Sequence, residues 1–292
     1  MEFRSGFIAI MGRPNVGKST LMNALIGEKI AIVSEKPQTT RGRILGIAGG
    51  ADWQMVFVDT PGLHKPRTKL GTYMVKAAED ALDGVDIILA MVTAGEIGAQ
   101  DRAIIERLGR RKESKILAVN KVDAVSRETL LAELNTLHEV PYNAVIPISA
   151  LRGDGLDELQ NMLRTHLPEG PRYFPEDSVT DQPERVLCAE IIREKALLNL
   201  REEVPHGIGI EMQAITKLSE RLTEIHATIY CEREAHKRIV IGKQGSMLQR
   251  IGSAARLDIE QLLDTHIVLR LWVKVREDWR NRPEDLRTLG YE

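Results

Sequence analysis

Lys18 and Ser19 close a phosphate-loop pattern, GRPNVGKS, at positions 12–19. A glycine-rich turn of this kind lays successive backbone N–H groups around a phosphate, and the following helix adds the positive end of its dipole. Gly12, Arg13, Pro14, Asn15, Val16 and Gly17 supply that backbone. Lys18 is then placed to reach the β- and γ-phosphates, and the Ser19 hydroxyl, followed by Thr20, to ligate Mg²⁺. Three more motifs follow in order: DTPG at 59–62, NKVD at 120–123 and SAL at 149–151. In the first of these Asp59 can hold a water on Mg²⁺. Thr60 and Pro61 carry the turn, and the Gly62 N–H can contact the γ-phosphate. In the second, the Asp123 carboxylate offers two acceptors to the N1–H and N2–H₂ donors of guanine. Adenine would leave that carboxylate unpaired, and a buried polar group that loses its bonds discriminates strongly. The Lys121 stem can lie over the base plane, with Val122 between the two, and Asn120 can tie this loop to the phosphate loop. A backbone N–H at Ser149 or Ala150 can meet guanine O6. A phosphate loop alone specifies some nucleoside triphosphate; the base-reading pair makes the expected ligand GTP or GDP with Mg²⁺. Each loop arises by accident in about one to a few chains per hundred, so both in one chain and in order is not noise.

These residues need elements to hold them, and the surrounding pattern supplies them. The continuous apolar run 6–11 predicts a buried parallel strand, and 19–26 has apolar residues at helical spacing. Run 53–59 predicts a strand that delivers Asp59, 115–119 one that delivers Asn120, and 144–148 one that delivers Ser149. A further strand is expected at 85–92, and helices at 100–108, 127–137 and 156–166. Such alternation argues for an α/β domain, a mostly parallel sheet with helices on both faces and ligands at the carboxyl ends of the strands. The stretch 169–183 holds three prolines, four acids and no periodicity. The reading is therefore a first domain over 1–170, a linker over 171–183 and a second domain over 184–292.

Charged residues are 28% of the 292 and the formal net charge is −2, so nothing in the overall balance points to a nucleic-acid partner. The two cysteines, Cys188 and Cys231, lie far apart without zinc-ligand spacing, as expected of free thiols in a reducing compartment. The phosphate loop begins by residue 12, which leaves no room for a leader, and no apolar run approaches the ~20 residues that span a bilayer. A soluble intracellular protein is expected.

No phosphate loop recurs in the second domain. A helical run over 184–203 is followed by strand-like 207–213 and 222–230. A strand is then expected to run from Lys237 through Ile241 into the GKQG loop, Gly242, Lys243, Gln244 and Gly245. A helix with Leu248, Ile251, Ala255, Ile259 and Leu262 on one face comes next, and 267–275 closes as a strand. A GxxG tetrapeptide is weak by itself, and 46–49 and 95–98 fit it too. This one lies between regular elements and carries a lysine. Paired glycines let a backbone approach a polynucleotide closely, as in the loop that clamps four nucleotides in KH domains. Between His236 and Arg250 stand Lys237, Arg238, Lys243 and Arg250 with no acid, a basic strip in a net-acidic chain.

GRPNVGKST, PQTTR at 37–41, DTPGLH at 59–64, NKVD, EIIREK at 190–195, IGKQG at 241–245 and LWVKV at 271–275 together resemble the Era family of bacterial GTPases. The resemblance spans nearly the whole chain. It implies a Ras-like GTPase domain followed by a smaller α+β type II KH domain, which binds the 3′ end of small-subunit (16S) ribosomal RNA and assists assembly of the 30S subunit. It implies a cytoplasmic monomer; some members are also found peripherally at the inner membrane. Carried over by motif, Thr40 is the switch I threonine that ligates Mg²⁺ in the GTP state, with Thr39 as the alternative. Leu63 stands where many small GTPases have a water-orienting glutamine, which predicts slow hydrolysis or another group, His64 being the nearest candidate base. Asn15 together with Leu63 resembles GTPases that recruit K⁺ beside the phosphates. Lys18, Thr40, Gly62 and Asn15 are thus the expected catalytic set. Two other readings stay open: a constitutive RNA-binding scaffold with structural GTP, and the GTPase component of RNA modification.

Overall fold

The computed structural model describes residues 2–34, 36, 39–63, 66, 68–201 and 204–291; His64 and Pro37 lie outside them. The chain groups into two units, one made of Met1–Ala31, Thr40–Lys65 and Met74–Asp181, the other of Ile32–Thr39, Pro66–Tyr73 and Gln182–Glu292.

Strand β1 (Arg4–Gly12) leads into α1 (Lys18–Ile26), with the phosphate loop between them. The chain continues as β2 (Ile44–Gly49), β3 (Trp53–Asp59), α2 (Lys69–Asp80), β4 (Ile87–Thr93), α3 (Ala99–Gly109), β5 (Ser114–Asn120), α4 (Arg127–Leu137), β6 (Ala144–Pro147) and α5 (Leu156–His166). The six strands form one sheet in the order β2-β3-β1-β4-β5-β6. All neighbours are parallel except β2, which runs antiparallel to β3 at the edge. The central strands are apolar without alternation because both faces are covered: Ile8, Ile10, Phe57, Ile88, Leu89 and Leu117 are fully buried. Parallel strands β3, β1 and β5 therefore end on the same edge of the sheet at Asp59, Gly12 and Asn120, with β4 between β1 and β5, and the crossover loops there must carry any ligand.

The second unit starts with α6 (Glu184–Asn199), then β7 (Gly209–Ser219), β8 (Leu222–Cys231), α7 (Glu234–Ile241), α8 (Ser246–Leu263), β9 (His266–Val275) and α9 (Pro283–Thr288). Its sheet has the order β7-β8-β9, antiparallel then parallel. A parallel pair needs a crossover, and α7, the GKQG turn and α8 are that crossover. Ile192 and Ala196 of α6, Ile225, Ala227 and Ile229 of β8, and Ile251, Ala255 and Ile259 of α8 make the core.

Two readings from the sequence are corrected here. The segment 237–241 is the end of helix α7, not a strand. Its β-branched run suggested a strand, but only Val240 is buried while Ile239 is 48% exposed, and the Gly242 N–H closes the helix on the Arg238 carbonyl at 2.8 Å. On α8 the apolar stripe ends with Leu263, which packs on the core, rather than with Leu262, which is exposed.

Candidate functional site

Among the described residues, the candidate nucleotide-binding positions 12–20, Thr40, 59–63, 120–123, Ser149 and Ala150 all belong to the first unit. The phosphate loop bends back on itself, with Asn15 at φ 66° and Gly17 at φ 101°. A side chain at Gly17 would strike the Asn120 amide, and one at Gly62 would lie 2.5 Å from the Pro14 nitrogen. The DTPG turn is pinned there by the Leu63 N–H, which donates to the Gly12 carbonyl at 3.1 Å. The Thr60 hydroxyl donates to the Ile10 carbonyl at 2.8 Å. The two loops thus make a close cradle that any Cβ would fill.

Lys18 is buried, and its ammonium donates to the carbonyls of Arg13 (3.1 Å) and Gly12 (3.4 Å). Burial pulls its pKa down to about 8, with the nearby Asp59 carboxylate acting the other way. It is a cation held without a full counter-charge, as a phosphate-binding lysine must be.

Three oxygens converge beside it. Ser19 Oγ donates to Asp59 Oδ2 at 2.6 Å and lies 2.9 Å from Thr40 Oγ1, which is itself 3.2 Å from Asp59 Oδ2. The Thr39 hydroxyl turns instead to the Lys36 carbonyl at 2.6 Å. Asp59 is fully buried, and burial pushes its carboxyl up against the opposing pull of Lys18 and of the Ser19 and Thr40 hydroxyls. Its other oxygen, Oδ1, is buried and has no hydrogen-bond partner among the described residues. Hard oxygen donors around an orphaned carboxylate oxygen fit Mg²⁺, which takes one or two carboxylates, hydroxyls, waters and phosphate oxygens.

The base-reading loops close the other end. The Asn120 amide nitrogen donates to the Val16 carbonyl at 2.7 Å, and its oxygen accepts the Ala150 N–H at 2.9 Å. One side chain therefore joins the phosphate, NKVD and SAL loops. Lys121 takes a left-handed backbone (φ 65°) that opens the turn carrying Val122 and Asp123. Ser149 Oγ donates to Asp123 Oδ1 at 2.6 Å, and Arg152 lies 3.5 Å from Oδ2. The Ser149 bond, with Arg152 and Lys121 nearby, holds the Asp123 carboxyl below its usual range, so it stays an acceptor. Leu63 packs on the apolar cluster under β1, β4 and β5, and its aliphatic side chain has no polar atom with which to orient water.

One contact escapes sequence reading. Arg13 Nε donates to Asp101 Oδ1 at 2.6 Å, and the other oxygen of this buried aspartate accepts the Gly98 N–H at 3.0 Å. Asp101 thus braces the phosphate loop from the start of α3. An acid in the first turn of a helix signals a cap, but nothing local signals the arginine 88 residues away.

In the second unit, Lys243 and Gln244 are exposed at the turn between α7 and α8, with Gln244 at φ 51°, a backbone that non-glycine residues seldom adopt. Arg238 and Arg250 are also exposed, Lys237 and Ile241 are half-buried, and Lys237 sits 3.9 Å from Glu234. The GKQG turn flanked by two helices on a three-stranded sheet is the arrangement of a KH domain.

Fold and site together define a Ras-like P-loop GTPase joined to a KH domain. The family model described as 50S ribosome-binding GTPase matches residues 7–121, and the KH domain model matches 203–280. GTPase Era of Ruminiclostridium cellulolyticum is 52% identical over 294 residues, covering 100% of this chain and 99% of that one. The Clostridium tetani protein is 51% identical and covers 99% of each. Two solved Era structures, an Aquifex aeolicus variant bound to GDP·AlF₄⁻ and a complex with MgGDPNP and nucleotides 1506–1542 of 16S ribosomal RNA, superpose with TM-scores of 0.94 at 41% identity, covering 99% of both chains. The chain belongs to the Era family of GTPases, and it binds and hydrolyses GTP.

Proposed function

We propose that this protein is a GTP-driven switch that binds the 3′ end of small-subunit ribosomal RNA through its KH domain and assists small-subunit assembly. The observation that carries the nucleotide half is the joining of three motifs by Asn120, which fixes the distance between a phosphate cradle and a guanine-reading carboxylate. The RNA half is supported by the exposed GKQG turn and by likeness to the Era complex with that RNA. Asp123 reads N1–H and N2–H₂ of the base. Lys18 and the loop amides, among them Gly62, stabilise charge on the γ-phosphate as water attacks in line and the bond to the β-phosphate oxygen breaks. Ser19, Thr40 and Asp59 would hold Mg²⁺, whose chemistry is to neutralise charge across the β- and γ-phosphates. Asn15 would admit K⁺ beside them. The same reading gives a cytoplasmic monomer whose attachment to the inner membrane, where it occurs, is peripheral; no helix among the described residues is long and apolar enough to cross a membrane.

The packing of Leu63 onto the core favours one rival, in which GTP is structural and hydrolysis incidental. Affinity for a single-stranded RNA from the 3′ end of small-subunit ribosomal RNA, measured with a GTP analogue and with GDP, decides between them. A difference supports the switch; equal affinities support the scaffold.

A further inference from the structure

Asp101 stands outside every motif of the nucleotide and RNA sites, yet it is 1% exposed at the first turn of α3. Capping a helix does not require that burial: α4 and α5 begin with Ser126 and Asp157, both exposed. Taking a carboxylate out of water is costly unless its oxygens are bonded. Here one oxygen accepts the Gly98 N–H at 3.0 Å and the other accepts Arg13 Nε at 2.6 Å. The first bond serves α3; the second serves the phosphate loop.

The loop that leads into α3 is a fixed post. The Ala94 N–H donates to the Asn120 carbonyl at 2.8 Å, and both carboxylate oxygens of Glu133 on α4 accept the Gly95 N–H, at 3.0 and 2.9 Å. Gly95 takes φ 79°, and a Cβ there would lie 2.8 Å from Val125. The Arg13 guanidinium grips this post twice, through Nε on Asp101 and through Nη2 on the Glu96 carbonyl at 3.2 Å. All of these residues belong to the first unit.

Arg13 has little freedom left. Pro14 follows it, which disfavours the helical region for the residue before and fixes its own φ. With the far end of its side chain also held, the Arg13 carbonyl keeps one direction, and that carbonyl accepts the Lys18 ammonium at 3.1 Å. Pro14 in turn fills the space beside Gly62, where a Cβ would lie 2.5 Å from the Pro14 nitrogen. On the other side of Arg13, the Gly12 carbonyl accepts the Leu63 N–H at 3.1 Å. A shift of Arg13 therefore moves both the support of Lys18 and the surface on which the DTPG turn rests. We propose that Asp101 is a positioning residue for GTP hydrolysis: through Arg13 it holds the phosphate loop so that Lys18 and the Gly62 N–H meet the γ-phosphate together. This rests on the reading of Lys18 and Gly62 as γ-phosphate contacts.

The test uses the full-length protein and reads single-turnover hydrolysis at saturating GTP alongside the thermal midpoint of each variant. Arg13→Met, at a half-buried site, cuts the link and leaves the bond from Gly98 to Asp101 in place. Asp101→Asn keeps one oxygen, which can serve the Gly98 N–H or Arg13 but not both. Each should lower the hydrolysis rate by about tenfold, the worth of one charge-assisted hydrogen bond. The double variant should be no slower than the slower single, within about twofold, because both changes break the same link. Arg13→Lys, which keeps a cation on Asp101, should recover most of the rate. A role confined to capping α3 would lower the thermal midpoint of Asp101→Asn and leave Arg13→Met hydrolysing at the wild-type rate; that rate in the folded protein overturns the proposal. The double variant leaves no buried charge unpaired, so it carries the same test if Arg13→Met does not fold. Losses that multiply in the double variant also overturn the proposal, since Asp101 would then act by another route than Arg13. Full hydrolysis by Lys18→Ala overturns the reading of Lys18 and this role with it, whereas an inactive Lys18→Ala beside an unimpaired Arg13→Met overturns the positioning role alone.

Discussion

Replacing Asp123 with asparagine exchanges one carboxylate oxygen for an amide donor at the position that faces the base. The Ser149 hydroxyl, 2.6 Å from Asp123 Oδ1, can still bond the amide, so the turn that begins at the left-handed Lys121 should survive. Since the Ser149 bond and the neighbouring Arg152 and Lys121 keep the wild-type group ionised, the substitution removes a carboxylate at any pH near neutrality. GTP then keeps its N1–H bond only to a neutral amide oxygen, loses the charge-assisted bond from N2–H₂ outright, and meets a donor facing that group. Losing one charge-assisted bond is worth about ten- to a hundredfold in affinity, and the lost charge and opposed donors add to it, so GTP binding should fall by about a hundredfold or more. XTP, which carries a carbonyl at C2, matches the new donor, while its N1–H keeps the amide oxygen as acceptor. The preference between the two nucleotides should therefore invert. Titration of fluorescent GTP and XTP derivatives against both proteins at one salt concentration measures it. A variant that stays folded and still prefers GTP would refute the role of Asp123 and, with it, the argument that the NKVD loop reads the base.

Three other outcomes follow from named groups. With the Lys18 pKa lowered to about 8, binding of phosphate raises it, so nucleotide binding should be flat below pH 8 and weaken above it as the free protein loses a proton that the complex retains. Calorimetry of GDP binding in two buffers of different ionisation enthalpy should show about half a proton taken up at pH 8 and about a tenth at pH 7; no uptake at pH 8 contradicts the assignment. K⁺ but not Na⁺ should accelerate hydrolysis, and Asn15→Ala should abolish the difference, so equal rates in the two salts for the wild type would end the case for K⁺. Lys243→Glu with Gln244→Asp should lose binding to the ribosomal RNA fragment and flatten its salt dependence by about 0.7 in log–log slope per phosphate contact, with GTP affinity and hydrolysis intact. Retained RNA affinity would move the RNA site off the GKQG turn.

The nucleotide site was legible in the sequence because its chemistry is local. Gly12 to Ser19, Asp59 to Gly62 and Asn120 to Asp123 each lie on one short loop, and the continuous apolar runs before them can be little else than buried strands. The GKQG turn was legible for the same reason, though the helix before it was not. Ile239, Val240 and Ile241 have the intrinsic preference of a strand, and only the packing of Val240 alone into the core selects α7. Strand β2, with glycines at both 46 and 49, left no alternation strong enough to read and exists because β3 offers it an edge, whereas α2 carries Leu70, Met74 and Ala78 at helical spacing and was overlooked. What tertiary structure alone decided are the pairings between distant residues. Arg13 meets Asp101 across 88 positions, and Thr39 meets Arg193 across 154. A charge in a sequence carries no mark of its partner. Only the fold, by burying Asp101, Arg193 and Glu194 where water cannot solvate them, requires that partners be found and so determines what those residues hold in place.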